Sequence, residues 1–214
     1  MKIAVGGMIA SGKSTLVKGL AKELGYDVLD EFRDDDEVFN TLLRWLYEGK
    51  DDVEMLLQVY FLHKHYKTQL KKTQDVIVDR HIIEHWLFAQ TNLKHKPEVL
   101  NFYNGLFHSY MNTVTHPDLY IILDISWETF VRRIKKRGRT QEMDNIENNW
   151  EYFYDLLKTY KSKLEAQCKV YDIPYVVLND DFNTEEDTVR EGLKLIRLND
   201  ILEGDFNNGQ NKED

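Results

Sequence analysis

The sequence predicts an α/β fold, a five-stranded parallel sheet with helices on both faces, and three observations predict it. Short apolar runs alternate with longer amphipathic stretches along the whole chain. The first run leads straight into Gly7-Met-Ile-Ala-Ser-Gly-Lys-Ser14, a glycine-rich loop with a helical pattern behind it. All three prolines (Pro97, Pro117 and Pro174) stand at segment boundaries, where a missing N–H is tolerated.

The elements follow in order. Lys2–Val5 is the first strand and Thr15–Leu24 the first helix, with Gly7–Ser14 between them. Asp27–Leu29 is the second strand. The acidic run Asp34-Asp35-Asp36-Glu37 supplies negative charge to the N-terminus of a helix entered at Val38. In Asp52–Lys72, Val53, Leu56, Leu57, Tyr60 and Phe61 keep i, i+3, i+4 spacing and mark a core face. Beside it runs a second stripe, Gln58–Phe61/Leu62–His65, which is either a pocket wall or the edge of the solvated face. Val76–Val78 is the third strand, and the helical segment Arg80–Asn92 follows at once. Its first turn therefore lies at the carboxyl edge of the sheet, where ligands bind in open α/β folds. Pro97 opens a further helix, Leu119–Leu123 is the fourth strand and Tyr175–Leu178 the fifth. Residues 1–202 make one domain, and the polar, aperiodic stretch 203–214 reads as a disordered tail.

Bulk composition narrows the class. At 214 residues, with 42% hydrophobic and 30% charged side chains, the chain suits one soluble domain with a full core. A net charge of −9 argues against a nucleic-acid track or an anionic membrane as main partner. Cys168 is the single cysteine, so no intrachain disulfide can form, and a reducing compartment, the cytoplasm, is expected. A strand beginning at residue 2 leaves no room for a targeting peptide, and no apolar run reaches the length of a membrane span.

The glycine-rich loop carries legible chemistry. It matches G-x-x-x-x-G-K-S in full, so its backbone N–H groups turn toward phosphate oxygens. Lys13 reaches the β- and γ-phosphates, Ser14 ligates Mg²⁺, and the following helix adds its positive end. Three further features fall at the same edge. Asp79 at the tip of strand three can hold Mg²⁺ through water, with Arg80 next to it positioned for the transferred group or its acceptor. Arg132 to Arg139 carries six cations in eight residues, with Arg133 and Arg137 on one helix face and Gly138 breaking the helix. That run is either a lid closing over a nucleotide or a solvated basic helix end. Glu31, at the end of strand two, can take the proton of an attacking hydroxyl, and Asp30 competes for that role.

Together these residues resemble the deoxynucleoside kinase family, above all its bacterial deoxyadenosine/deoxyguanosine kinase branch, over residues 1 to about 200. The resemblance rests on Gly7–Ser14, Glu31, Tyr47 followed eleven residues later by Gln58, Asp79-Arg80, Arg137-Gly138-Arg139 with Glu142, and Asn179-Asp180-Asp181-Phe182. It implies a P-loop kinase fold with an Arg-rich lid near residues 137–145. It also implies a homodimer formed through helices, for which Phe102, Tyr103, Leu106, Phe107 and Tyr110 are candidates. The implied reaction moves the γ-phosphate of ATP, with Mg²⁺, to the 5′-hydroxyl of a 2′-deoxynucleoside, purines favoured.

Residue roles follow from the resemblance. Glu31 is the implied base, Arg80 contacts the 5′-oxygen, and Lys13 and Arg137 act on the transferring phosphate. ATP is held by Gly7, Ala10, Ser11, Gly12, Lys13, Ser14 and Thr15, by Arg133, Arg137 and Arg139, and by Asp181 and Phe182 at the adenine. Ser14 and Asp79 hold the metal. Tyr47 and Glu142 bond the 3′-hydroxyl, and Leu43, Leu57, Gln58, His65 and His85 complete the nucleoside pocket.

Two departures stand at the base-reading end. The family typically has Arg seven residues after the Gln and Asp six residues after the acidic residue of the Asp/Glu-Arg motif. Here those positions are His65 and His85, a paired change that avoids stranding one charge. The third residue of that motif is also changed, to His81. Glu84 is a neighbour of the missing Asp, but one helical position turns a side chain by about 100°. The enzymatic alternative is a nucleoside monophosphate kinase, similar to thymidylate kinase. Its charged acceptor calls for extra cations, and Asp30–Glu37 offers only Arg33. An idle nucleotide-binding module would predict loss of Glu31, Arg80 or the lid arginines, and all are present.

Overall fold

The computed structural model describes residues 1–30, 36–50, 52–70, 74–137, 150–181 and 184–210, with side chains described except at positions 47, 68 and 200–210. Five strands form one parallel sheet: β1 (Lys2–Gly7), β2 (Asp27–Leu29), β3 (Val76–Asp79), β4 (Leu119–Asp124) and β5 (Tyr175–Asn179). Their spatial order is β2-β3-β1-β4-β5, every neighbouring pair parallel. The strands buried on both faces read as continuous apolar runs, as parallel sheets require.

Helices cover both faces. α1 (Lys13–Leu24), α2 (Glu37–Tyr47), α3 (Val53–Gln69), α4 (Ile83–Asn92), α5 (Pro97–Met111), α6 (Trp127–Arg137), α7 (Trp150–Val170) and α8 (Glu185–Gln210) occur in that chain order. Leu16, Val17 and Leu20 of α1 pack with Ile3, Val5, Ile121 and Ile196 on one face. The other face buries Ala4, Val78, Tyr120 and Ile122 against Leu62, Ile83, Leu87, Tyr103, Phe107, Leu156 and Leu164. A smaller cluster of Leu42, Val53 and Leu57 joins α2 to α3. α1 and α8 approach so closely that a Cβ on Gly19 would overlap the Val189 side chain, so glycine is required there.

Several boundaries differ from those the sequence predicts, each for a local reason. β1 runs past Val5 to Gly7, because its pairing with β4 continues through Gly7↔Leu123. Arg80 is not helical. It takes φ 68, a left-handed turn that ends β3, and α4 starts only at Ile83. α3 stops at Gln69, and residues 71–73 lie outside the described residues. The helical backbone of α8 continues to Gln210, over most of the stretch whose polar composition predicts a disordered tail. Its periodic part begins at Glu185, and the helix propagates from there. Asp36 caps α2 by accepting from Phe39 N at 3.0 Å, as the acidic run suggests, while Asp34 and Asp35 lie outside the described residues. On α5, Tyr103 and Phe107 face the core and Phe102 is 68% exposed. No helix among the described residues is long and apolar enough to cross a membrane.

Candidate active site

β1 and β3 set the site. Their register pairs Val5 with Asp79, so the glycine-rich loop and the strand-end carboxylate leave the sheet side by side at its carboxyl edge. The loop turns through two left-handed residues, Ala10 at φ 60 and Gly12 at φ 95. Ser11 N donates to Met8 O at 3.1 Å to close the turn. α1 then starts at Lys13 behind Gly12, which has no side chain to cap the helix, so an anion can take that place. Ser14 Oγ donates to Asp79 Oδ2 at 3.2 Å. Asp79 is 9% exposed, and its Oδ1 is buried with no hydrogen-bond partner. A hydroxyl beside an orphaned carboxylate oxygen is a hard oxygen donor set that suits Mg²⁺. Among the described residues no group of three or more His, Cys, Asp or Glu could hold a metal. A cation here would therefore complete its shell with phosphate and water.

Arg80 turns back under the loop into a buried network. Its Nη1 donates to Glu84 at 2.5 Å and to Tyr160 Oη at 2.8 Å, and its Nη2 donates to Gly7 O at 3.2 Å. Glu84 is fully buried. It also accepts from Gly7 N at 3.3 Å, from Tyr120 Oη at 2.5 Å and from the Tyr160 hydroxyl. The Arg80–Glu84 pair thus holds both polar groups of Gly7, the first residue of the glycine-rich loop. Burial raises the Glu84 pKa, and the charges of Arg80 and Lys13 with the two tyrosine bonds oppose it. Sequence reasoning misses this role for Glu84, which it sets beside the histidines. The i, i+4 spacing from Arg80 is the signal that points to the ion pair.

Arg133, expected to line a lid over the triphosphate, lies against the glycine-rich loop. Its Nη1 donates to Ser11 O at 2.7 Å, and its Nη2 donates to Asp180 O at 2.7 Å and to Asp180 Oδ2 at 2.8 Å. Asp180 is 2% exposed, and a buried carboxylate requires such a partner. Arg133 therefore ties the loop to the end of β5. Asp181 turns its Oδ1 to Ser126 N at 2.6 Å, where α6 begins. Burial works against its charge, but the bonds from Ser126 and Thr129 and the Arg133 charge hold the carboxyl below its usual pKa. Its carboxylate thus bonds the α6 N-terminus. Arg137 is the exposed last residue of α6. Glu31, Arg139, Glu142 and Phe182 lie outside the described residues, as does the Tyr47 side chain.

The α3–α4 wall carries Gln58, His65 and His85, all three buried. Gln58 is 2% exposed and its Oε1 has no hydrogen-bond partner. His65 and His85 are 1% and 2% exposed, and His85 Nε2 meets His65 Nδ1 at 2.6 Å. The Phe61 ring stacks on His85 with centroids 5.6 Å apart. The Lys64 ammonium, on the same helix, is paired with Asp36, which also accepts from Tyr60 Oη at 2.8 Å. Leu57 is buried in the small α2–α3 core, and Leu43 packs, partly buried, against the same cluster.

Burial drives the pKa of His85 well below 6.5, with the charges of His65, Arg80 and His81 adding to the effect. His81 is lowered by burial and then by Lys2, His116 and His65. Both are therefore neutral in the folded protein. The unfolded chain binds more protons below pH 6.5, so stability is complete above that value and declines as pH falls toward the folded pKa values. Each group contributes a slope of up to about 1.4 kcal/mol per pH unit. We expect the melting temperature to drop by about 5 °C between pH 6.5 and 5.5. Replacing His81 and His85 together with Gln should flatten that slope in a pH series of thermal melts, and an unchanged slope would assign the acid loss to other groups.

The chain is similar to known proteins over nearly its whole length. The family model described as "Deoxynucleoside kinase" matches residues 3–197. An uncharacterized protein of Mycoplasma pneumoniae is 34% identical, covering 93% of this chain and 90% of its own. Deoxyguanosine kinase of Lactobacillus johnsonii is 35% identical, with 91% of this chain and 90% of that protein covered. The structure of deoxyadenosine kinase from M. mycoides with bound dATP superposes with a TM-score of 0.73 at 27% identity, covering 93% of this chain and all of that one. With this match and the loop, strand-end acid and buried arginine in place, the chain belongs to the deoxynucleoside kinase family and is a kinase.

Proposed function

We propose that this enzyme transfers the γ-phosphate of ATP to the 5′-hydroxyl of a purine 2′-deoxynucleoside. The observation that carries the acceptor is the wall around Gln58. It offers a buried amide oxygen with no protein partner, two imidazoles and an aromatic ring, and its cation Lys64 is committed to Asp36. A monophosphate acceptor would need a cation there, and a nucleoside base needs hydrogen bonds and a stacking surface. Lys13 and the α1 N-terminus would hold the triphosphate, and Ser14 with Asp79 would hold Mg²⁺ between its oxygens and theirs. That cation would neutralise charge developing on the transferred group.

The remaining roles rest on the family resemblance. Glu31 would take the proton from the 5′-hydroxyl, with Arg80 near the acceptor oxygen and Arg137, Arg139 and Glu142 over the substrates. Tyr47 would favour deoxyribose. A homodimer through the outer side of α5, where Phe102 is exposed, and a cytoplasmic setting belong to the same reading. The test is an ATP-consumption assay against deoxynucleosides and their monophosphates. Turnover with a deoxynucleoside and none with a monophosphate is the expected result, and the reverse would overturn the acceptor. Glu31→Gln should abolish phosphorylation yet leave ATP binding, measured by calorimetry, within about threefold. Retained turnover would move the base to Asp30.

A further inference from the structure

Arg80, His81 and Ile82 link β3 to α4, and the shape of that link depends on a side chain from α3. Arg80 takes φ 68, a left-handed conformation that a residue with a Cβ adopts at a cost and keeps only where its surroundings over-determine it. Its N–H is held by the sheet, donating to Val5 O at 3.0 Å. Its carbonyl is held by Gln69, whose Nε2 donates to Arg80 O at 3.2 Å. The Oε1 of the same amide accepts from Ile82 N at 3.2 Å. Gln69 therefore spans the turn and bonds the backbone on both sides of His81. A backbone N–H can only donate and a carbonyl can only accept, so these two partners fix which end of the amide faces which.

Gln69 is 1% exposed and is the last residue of α3. It stands about three helical turns after Gln58, so the two amides share one stripe with Leu62 and His65, and all four are buried. That stripe has the wall of the proposed nucleoside pocket at one end and the Arg80 turn at the other. From the turn the Arg80 side chain passes back under the glycine-rich loop to Glu84, Tyr160 Oη and Gly7 O. Where a guanidinium reaches is set by the backbone that carries it, so the left-handed turn decides where this one lies. Removing the amide takes a bond from the carbonyl of Arg80 and another from the N–H of Ile82, and the turn loses its tie to α3.

We propose that Gln69 is a positioning residue for phosphoryl transfer: its amide holds the left-handed turn that aims Arg80 and, through Arg80, the first residue of the glycine-rich loop. This rests on the reading above, in which Arg80 stands near the acceptor oxygen. Gln69 acts through the guanidinium and the loop, and it touches no substrate itself. Phosphoryl transfer is mostly positioning, and a misplacement of about 1 Å costs on the order of 10² in rate. The loss falls on turnover, because Lys13 and the N-terminus of α1 hold the triphosphate without this amide. A glutamine that only stabilised the core would lower the melting temperature and leave the rate of the folded enzyme alone.

The experiment introduces Gln69→Leu, which removes both bonds at comparable size, into the wild-type enzyme and into Arg80→Lys. With ATP and deoxyadenosine or deoxyguanosine, Gln69→Leu alone should lower kcat on the order of tenfold to a hundredfold. Its Kd for ATP, measured by calorimetry, should stay within about threefold of wild type. In Arg80→Lys there is no guanidinium left to aim, so adding Gln69→Leu should lower kcat by no more than about twofold. Where Gln69→Leu does not fold, Gln69→Glu goes through the same comparison with the same expectation. It keeps the size and the acceptor for Ile82 N, and its carboxylate cannot donate to Arg80 O. A lowered melting temperature with kcat unchanged, or the same factor of loss in both backgrounds, overturns the positioning role. If the wild-type enzyme phosphorylates a deoxynucleoside monophosphate and no deoxynucleoside, the acceptor reading fails, and the same kcat comparison with that monophosphate still decides the role of Gln69.

Discussion

Replacing Glu84 with Ala is expected to lower the melting temperature by on the order of 10 °C and to abolish activity. Glu84 is fully buried and accepts from Arg80, Tyr120, Tyr160 and the Gly7 N–H. Its removal leaves a guanidinium that is 3% exposed without its carboxylate, and it strands two tyrosine hydroxyls. Breaking a buried pair by removing one partner costs about 3–5 kcal/mol. In a domain of this size 1 kcal/mol is about 2–4 °C. Arg80→Met alone should also destabilise, by leaving the buried carboxylate without its cation. The double variant Arg80→Met/Glu84→Met should cost less than the sum of the singles by on the order of 2 kcal/mol, while remaining inactive. Additive losses in thermal melts would show that the two side chains act independently, against the bonds between them. Tyr160→Phe gives a finer readout. It removes one bond to each partner and keeps the packing, so folding should persist while kcat falls more than KM rises.

The sequence carried the phosphate end of this site and only part of the rest. Gly7–Ser14 and Asp79 are short-range signals: a loop between a strand and a helix, and a residue at a strand tip. Parallel pairing then dictates that they meet, and Ser14 donates to Asp79 as that logic requires. The paired change at His65 and His85 is legible as two positions, but their contact needs α3 to pack on α4. Arg133 shows what the local signal leaves out. Six cations in eight residues suggest a surface function, yet one of them answers the buried charge of Asp180, far along the chain. Glu84 is similar. Its tyrosine partners come from β4 and α7, and no periodicity in the sequence links positions 84, 120 and 160. Leu57 is legible as a core position of α3, but its packing against Leu42 of α2 is not. Contacts within one element or across adjacent parallel strands follow from pattern, whereas buried polar contacts between distant elements do not.

Lys13→Ala is expected to reduce kcat by on the order of 10³-fold or more while leaving the fold intact. A cation placed on a transferring phosphoryl group is worth about 10³–10⁵ in rate, which sets the size of the loss. The fold should survive because Lys13 is the first residue of α1, only partly buried, where Ala is a good helix former. ATP binding should weaken far less than turnover, because the glycine-rich loop and the N-terminus of α1 do not depend on this side chain. Asp79→Asn makes the complementary change. It keeps the bond to Ser14 but removes the charge that attracts Mg²⁺, so the Mg²⁺ concentration for half-maximal rate should rise steeply. In Lys13→Ala that concentration should stay near the wild-type value. Lysine and metal stabilise the same developing charge, so the double variant should be little worse than the poorer single one. Steady-state rates across a Mg²⁺ series in all four proteins decide the matter. Losses that multiply in the double variant would mean that Lys13 and Asp79 act on separate steps, and the phosphate end of the site would need a different account.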